Sequence, residues 1–193
     1  MKHLRVNEKL RLEILDLSMA EVIFNTIERD RNYLREWLPF IDATMAVTDT
    51  EAFIKSLMDQ NENKRDEVFG IWYQEEFAGL IGFKDTDWIN HKTEIGYWLA
   101  LPMQGKGIMT TCVSFLIKYA SAKMGINRVQ IKIATGNVKS EKIPSRLSFV
   151  YEGIEREGEF LHGKYHDVKI FSLLKKDMKL NNVLFQPKFF KKE

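Results

Sequence analysis

The hydrophobic positions along the chain change period several times, and each change marks an element. Residues 10–15 (LRLEIL) alternate apolar and charged positions, which predicts a strand. Ser18-x-x-Glu21 reads as a capping box, and Val22, Ile23 and Ile27 follow at helical spacing. That helix is expected to weaken before or within RDRNYLREWLPF, which Pro39 closes. Thr48-x-x-Glu51 repeats the box, and the i,i+4 pairs Phe53/Leu57 and Ile54/Met58 predict a second helix over about 49–61.

The period then falls to two. VFGIWYQ (68–74), FAGLIGFKD (77–85) and TEIGYWLA (93–100) predict three successive strands. Residues 109–124 return to helix, with Cys112, Leu116 and Tyr119 along one stripe and Val113, Ile117 and Ala120 beside it. Gly125 stands where a glycine ends a helix. RVQIKIA (128–134) is a strand, and 137–147 a shorter helix that Pro144 must delay or bend. Strands over 150–161 and 165–174 close the pattern, joined through His162-Gly163-Lys164. This order predicts one mixed α/β or α+β sheet with helices packed on it. Three strands in succession argue against a doubly wound dinucleotide fold. The domain is expected over residues 1–180, followed by a tail, 181–193, that docks by its aromatic residues or stays mobile.

Composition narrows the class. A chain of 193 residues suits one domain, and 45% hydrophobic with 29% charged residues is ordinary for a globular protein. No apolar run approaches the ~20 residues of a membrane span. The first residues lack the apolar block of a signal peptide, and the single cysteine, Cys112, cannot form an internal disulfide. The expected compartment is the cytoplasm, with no membrane partner. Cys112 reads as a small buried hydrophobe rather than a nucleophile. A net charge of +2 is too small to make nucleic acid the main partner.

The first chemical candidate is Gln104-Gly105-Lys106-Gly107, between a strand and a long helix. A helix N-terminus carries unpaired N–H groups and partial positive charge, and glycines let a phosphate approach the backbone. A plain turn would look the same in isolation. Neither GxxxxGK[ST] nor GxGxxG is present, which disfavours a nucleoside triphosphate or dinucleotide. Lys106 reads as a solvated side chain.

The wider context is more specific. EIGYWLA, QGKGI, GINRVQIKI, GNVKS and VYEG…EFLHGKYHDVKIFSLLKKD together resemble the GNAT superfamily of acyl-CoA-dependent N-acetyltransferases, in its RimJ/RimL branch, over about Leu4 to Met178. That branch includes ribosomal-protein-serine N-acetyltransferases. The resemblance implies a single GNAT domain whose mostly antiparallel, twisted sheet has six to seven strands and about four flanking helices. It implies acetyl-CoA as cosubstrate, no metal, and a homodimer. Its pyrophosphate would lie on the backbone from Gln104 through Gly105, Lys106, Gly107, Ile108 and Met109 to Thr110. Trp98 and Leu99 would offer backbone groups to the pantetheine amides, as an added strand does. Asn137 would orient the pantetheine or the reacting centre. Three departures stand out: Met109 and Ser148 replace small residues, and Pro144 occupies the place of a frequent catalytic tyrosine.

The resemblance places the general base at Glu159 and a hydrogen bond to the departing thiol at Ser140. In EGIEREGEF, a regular strand would put Glu155, Glu157 and Glu159 on one face, where like charges raise one another's pKa and attract a cationic amine. A solvated strand face is the plainer reading. Ser140 also suits a helix N-cap, and Asn137 a turn. The segment 35–40 sits where this branch forms part of the acceptor cleft, which Trp37 and Phe40 would then line; as plain sequence they suit a core equally. His3, His91, His162 and His166 lack metal-ligand spacing. The expected reaction is direct acetyl transfer in a ternary complex to a primary amine, foremost the N-terminal α-amine of a protein such as a ribosomal protein. The alternatives are a small amine, such as an antibiotic or polyamine, and a non-catalytic acyl-CoA sensor.

Overall fold

The computed structural model describes residues 3–59 and 66–180. The chain runs β1 (His3–Arg5), β2 (Leu10–Ile14), α1 (Ala20–Arg29), α2 (Arg31–Leu34), α3 (Val47–Met58), β3 (Val68–Tyr73), β4 (Glu76–Asp87) and β5 (Lys92–Leu99). It continues through α4 (Ile108–Lys123), β6 (Arg128–Ala134), α5 (Val138–Arg146), β7 (Val150–Leu161), β8 (Lys164–Leu174) and α6 (Lys175–Leu180). All eight strands form one sheet in the order β1-β2-β3-β4-β5-β6-β8-β7. Every pairing is antiparallel except β5 with β6.

The described residues therefore hold eight strands where six to seven were expected, and six α-helices where about four were. β1 is only three residues long, too short to display alternation, and is recognisable through its pairing with β2. The tail at 181–193 and the expected end of the second helix at 60–61 lie outside the described residues.

Helix starts depart from the sequence reading. Asp16, not Ser18, caps a short 3-10 turn at Leu17–Met19, and α1 begins after it. α3 begins at Val47, because the Asp49 carboxylate accepts the N–H groups of Met45 and Ala46 at 2.8 and 2.9 Å. Pro144 neither delays nor ends α5; it sits inside it.

Strand alternation supplies both faces of the sheet. Ile81, Phe83, Ile95, Val129 and Ile131 pack with Cys112, Val113 and Leu116 of α4. Leu80 and Trp98 pack on the other face with Ile23, Ile27 and Ile54 of α1 and α3. Successive side chains point to opposite faces, so Leu80 and Ile81 join different cores. Cys112 is fully buried, and burial pushes its thiol pKa well up, as suits a packing residue.

The functional opening comes from the parallel pair. β5 and β6 are in register only over Lys92–Glu94 and Arg128–Gln130. Beyond Glu94 they part, while each keeps its outer neighbour along its length. The gap leaves one side of residues 95–99 without a neighbouring strand.

Candidate active site

A cavity of about 1120 Å³ occupies this gap and extends under α1–α3. Ile95–Leu99 form one wall, Lys132–Ala134 another, and the start of α4 closes one end. Trp98 is buried against Phe77, edge to face at 6.1 Å, and lines the cavity. Trp98 and Leu99 thus stand at the unpaired edge of β5.

The glycine loop follows a 3-10 turn, Leu101–Met103. Buried Asp30 at the end of α1 anchors that turn: its carboxylate accepts the Leu101 N–H at 2.8 Å and pairs with Arg29 at 2.9 Å. These bonds hold the Asp30 pKa below the ordinary carboxylate value, the Arg29 hydrogen bond contributing most. Gly105 and Gly107 have φ of +73° and +74°, in the left-handed region that glycine tolerates best. A Cβ on either would meet nothing within 4 Å, so both face open space. Gly107 caps α4 with no side-chain hydrogen bond, and the first free N–H groups of this 16-residue helix border the cavity. Ile108 and Met109 bury their side chains in the core and leave their backbone at the cavity, which explains how a methionine is accommodated. Lys106 turns away, 3.7 Å from Met103 Sδ and over the Tyr73 ring, and does not line the cavity. This is the solvated side chain expected of Lys106; the loop's open face is backbone. This cradle of open glycines and free N–H groups fits a pyrophosphate.

The opposite wall of the loop is α5. Asn137 caps it, accepting the Ser140 N–H at 3.2 Å, so the capping role considered for Ser140 belongs to Asn137. Ser140 borders the cavity, and its carbonyl accepts a hydrogen bond from Tyr97 at 3.3 Å. Lys139, Lys142 and Arg146 also line it. Their i, i+3, i+7 spacing on one helix face was a readable signal of a basic wall, and the sequence reading passed over it.

The acceptor-side residues come from distant segments. Trp37 and Phe40 border the cavity, and Phe40 is 43% exposed, so it is not a core aromatic. The Trp37 ring reaches the turn between β6 and α5, 3.5 Å from where a Gly136 Cβ would lie. The β7–β8 hairpin closes this end. His162 Nε2 lies 2.6 Å from the Arg35 carbonyl oxygen; a carbonyl can only accept, so the ring nitrogen donates.

Glu155 and Glu159 share a face, because they pair with Val168 and His166, two residues apart on β8; Glu157 lies between them in a bulge over residues 156–158, outside the regular pairing. Glu157 has φ of +53°, is exposed, and donates its N–H to Asp167 at 2.8 Å. Glu155 is ion-paired with Lys132 at 2.8 Å. Neither lines the cavity, whereas Glu159 does. Burial raises the Glu159 pKa above the ordinary carboxylate value, and the Glu94 charge adds to the rise; Lys84 and His166 oppose it. Glu94, itself buried, pairs with Lys84 at 2.8 Å. The perturbation of Glu159 thus comes from burial and Glu94, not from Glu155 and Glu157. Among the described residues, no group of three or more His, Cys, Asp or Glu is placed to hold a metal ion.

A GNAT acetyltransferase domain model matches residues 9–150. The chain belongs to the GNAT acetyltransferase family. It is 35% identical to the putative ribosomal N-acetyltransferase YdaF of Bacillus subtilis, over 90% of this chain and 95% of that protein. It is 25% identical to a ribosomal-protein-serine acetyltransferase of Escherichia coli, over 88% and 94% of the two chains. Among solved structures it is similar to RimL, a ribosomal α-N-protein acetyltransferase in complex with coenzyme A: TM-score 0.87, 25% identity, 92% of this chain and 99% of that one. This GNAT chain is an N-acetyltransferase that uses acetyl-CoA, of the RimJ/RimL kind.

Proposed function

We propose that the acetyl acceptor is the N-terminal α-amine of a protein, with a ribosomal protein as the foremost substrate class, and that Glu159 is the base. The observation that carries this reading is the half-buried Glu159 carboxyl on the cavity wall with its pKa raised. An α-amine ionises near pKa ~8, so a carboxylate poised above its ordinary value suffices to take its proton. Acetyl-CoA supplies the acetyl group as a thioester. Backbone N–H groups from Gly105 to Thr110 hold the pyrophosphate, and Lys139, Lys142 and Arg146 supply counter-charge beside it. The free edge of residues 95–99 pairs with the pantetheine amides. Glu159 accepts the amine proton as the new N–C bond forms. Ser140 donates a hydrogen bond to the sulfur as the C–S bond breaks. Trp37 and Phe40 wall the acceptor's first residues. Compartment follows substrate: a ribosomal-protein acceptor places the enzyme in the cytoplasm.

A polycationic small amine fits less well. Its recognition needs several free carboxylates, but Glu155 is held by Lys132, Glu157 lies outside the cavity, and Glu94 is held by Lys84. Free-thiol release from acetyl-CoA, measured with unblocked N-terminal peptides, the same peptides Nα-blocked, and polyamines, tests the reading. Release is expected with the unblocked peptides alone. Turnover only with polyamines, or none with any acceptor despite CoA binding, would overturn it.

A further inference from the structure

Pro144 sits in the seventh position of α5 and has no N–H. In a regular helix that N–H would bond the carbonyl four residues back, which is Ser140; the proline ring also crowds that carbonyl. The Ser140 carbonyl nonetheless has a donor: the Tyr97 hydroxyl, at 3.3 Å, arriving from β5 across the cavity gap. Tyr97 lies on the α4–α5 face of the sheet, between Gly96 and the buried Trp98. Burial drives its phenol pKa well up, so the hydroxyl stays a donor at any working pH.

We infer that Tyr97 is a positioning residue for Ser140: its phenol replaces the helix hydrogen bond that Pro144 removes, and pins the first turn of α5 to the free part of β5. The first turn of α5 is otherwise tied to its surroundings by Asn137 capping, by Lys139, whose ammonium donates to Gln104 Oε1 at 3.1 Å, and by Lys169 of β8, whose ammonium pairs with Glu141 at 2.8 Å. None of these bonds fixes the carbonyl of residue 140. The inference rests on the role proposed above for Ser140.

Tyr97→Phe keeps the ring and removes the pin. It is expected to lower kcat by roughly tenfold through misplacement of Ser140. CoA affinity by calorimetry should stay within about twofold, because the glycine loop is untouched. Amide hydrogen exchange in the first turn of α5 should accelerate. Pro144→Ala added to Tyr97→Phe restores a donor at residue 144, and should recover both kcat and exchange protection. Unchanged exchange in Tyr97→Phe, or no recovery in the double variant, would overturn the inference; the latter is also the result expected if Tyr97 were itself the proton donor. Ser140→Ala separates the two layers: if it leaves kcat unchanged, the role of Ser140 fails, while the exchange measurements still judge the pin.

Discussion

The two ends of the cavity are built from different materials. At the loop end the proposed binding groups are chiefly backbone, namely the open glycines 105 and 107, the free N–H groups of α4 and the unpaired edge of β5, with the basic side chains of α5 beside them. At the proposed acceptor end the lining groups are side chains: Glu159, the Lys84–Glu94 pair, Trp37 and Phe40. Glu94 and Leu99 lie five residues apart on β5, about 16 Å along a strand, so the two sets are well separated. Backbone recognition depends on conformation and tolerates changes such as Met109. Side-chain recognition depends on the individual residue. Substitutions should therefore act differently at the two ends.

The largest effect is expected at the acceptor end. Glu159→Gln should lower kcat by ~10²–10⁴-fold, the usual range for losing a positioned base. Its CoA affinity, read by calorimetry, should be close to that of the parent protein. Equal losses in kcat and CoA binding would erase the contrast between the ends. Next comes Gly107→Val. Gly107 needs φ of +74°, which a β-branched residue adopts only under strain of about 1–3 kcal/mol, so CoA affinity should fall ~10–100-fold. Lys106→Ala, one residue away, should change it less than about twofold, since its ammonium is exposed on the Tyr73 side. A larger effect from Lys106 than from Gly107 would show that charge, not backbone, holds the pyrophosphate.

The same contrast explains what was legible in the sequence. The loop end is contiguous: EIGYWLA, QGKGI and GNVKS each sit on one turn or one strand, so a local pattern reports the geometry. Even there the sequence leaves side-chain direction open, and the departure of Lys106 from the cavity depends on the position of Tyr73 in β3. The acceptor end joins segments more than a hundred residues apart, such as Arg35 and His162. Glu155 and Glu157 show a second limit. Strict alternation puts both beside Glu159, but a bulge over 156–158 takes Glu157 out of the regular pairing and Lys132 of β6 ties up Glu155, and neither event has a strong signature in EGIEREGEF. β1 escaped detection because three residues cannot establish a period.

A smaller effect should follow Trp37→Ala. The indole covers the turn between β6 and α5 without being needed for the chemistry. Its loss should raise the acceptor KM by about tenfold, in line with removing one aromatic wall, and leave kcat and CoA affinity nearly unchanged. A change in CoA affinity instead would mean that the ends communicate through Gly136.

The finest test concerns the ionisation of Glu159, which as the proposed base sets an acid limb in the pH profile of kcat. In the proposed role the ionised carboxylate is the working form, so activity should rise as pH rises through its elevated pKa. Lys84 holds that pKa down and Glu94 holds it up. Lys84→Met should therefore move the limb to higher pH, and Glu94→Gln to lower pH; movement of both in one direction would remove these residues as its electrostatic neighbours. Stability follows the opposite sense from a salt-bridged carboxylate. With the folded pKa above the unfolded one, the contribution of Glu159 to stability is fully present below the unfolded value and is lost as pH rises through the folded value. At neutral pH the charged carboxylate is thus a cost to the fold. Glu159→Gln should melt at the same temperature as the parent or higher, while Glu152→Gln should melt lower. Arg128 and Ser172 hold the Glu152 pKa down to about 2, so its contribution is present at neutral pH and is lost only as pH falls toward that value. A lower melting temperature for Glu159→Gln than for Glu152→Gln at pH 7 would mark Glu159 as a structural carboxylate rather than one whose burial serves proton transfer.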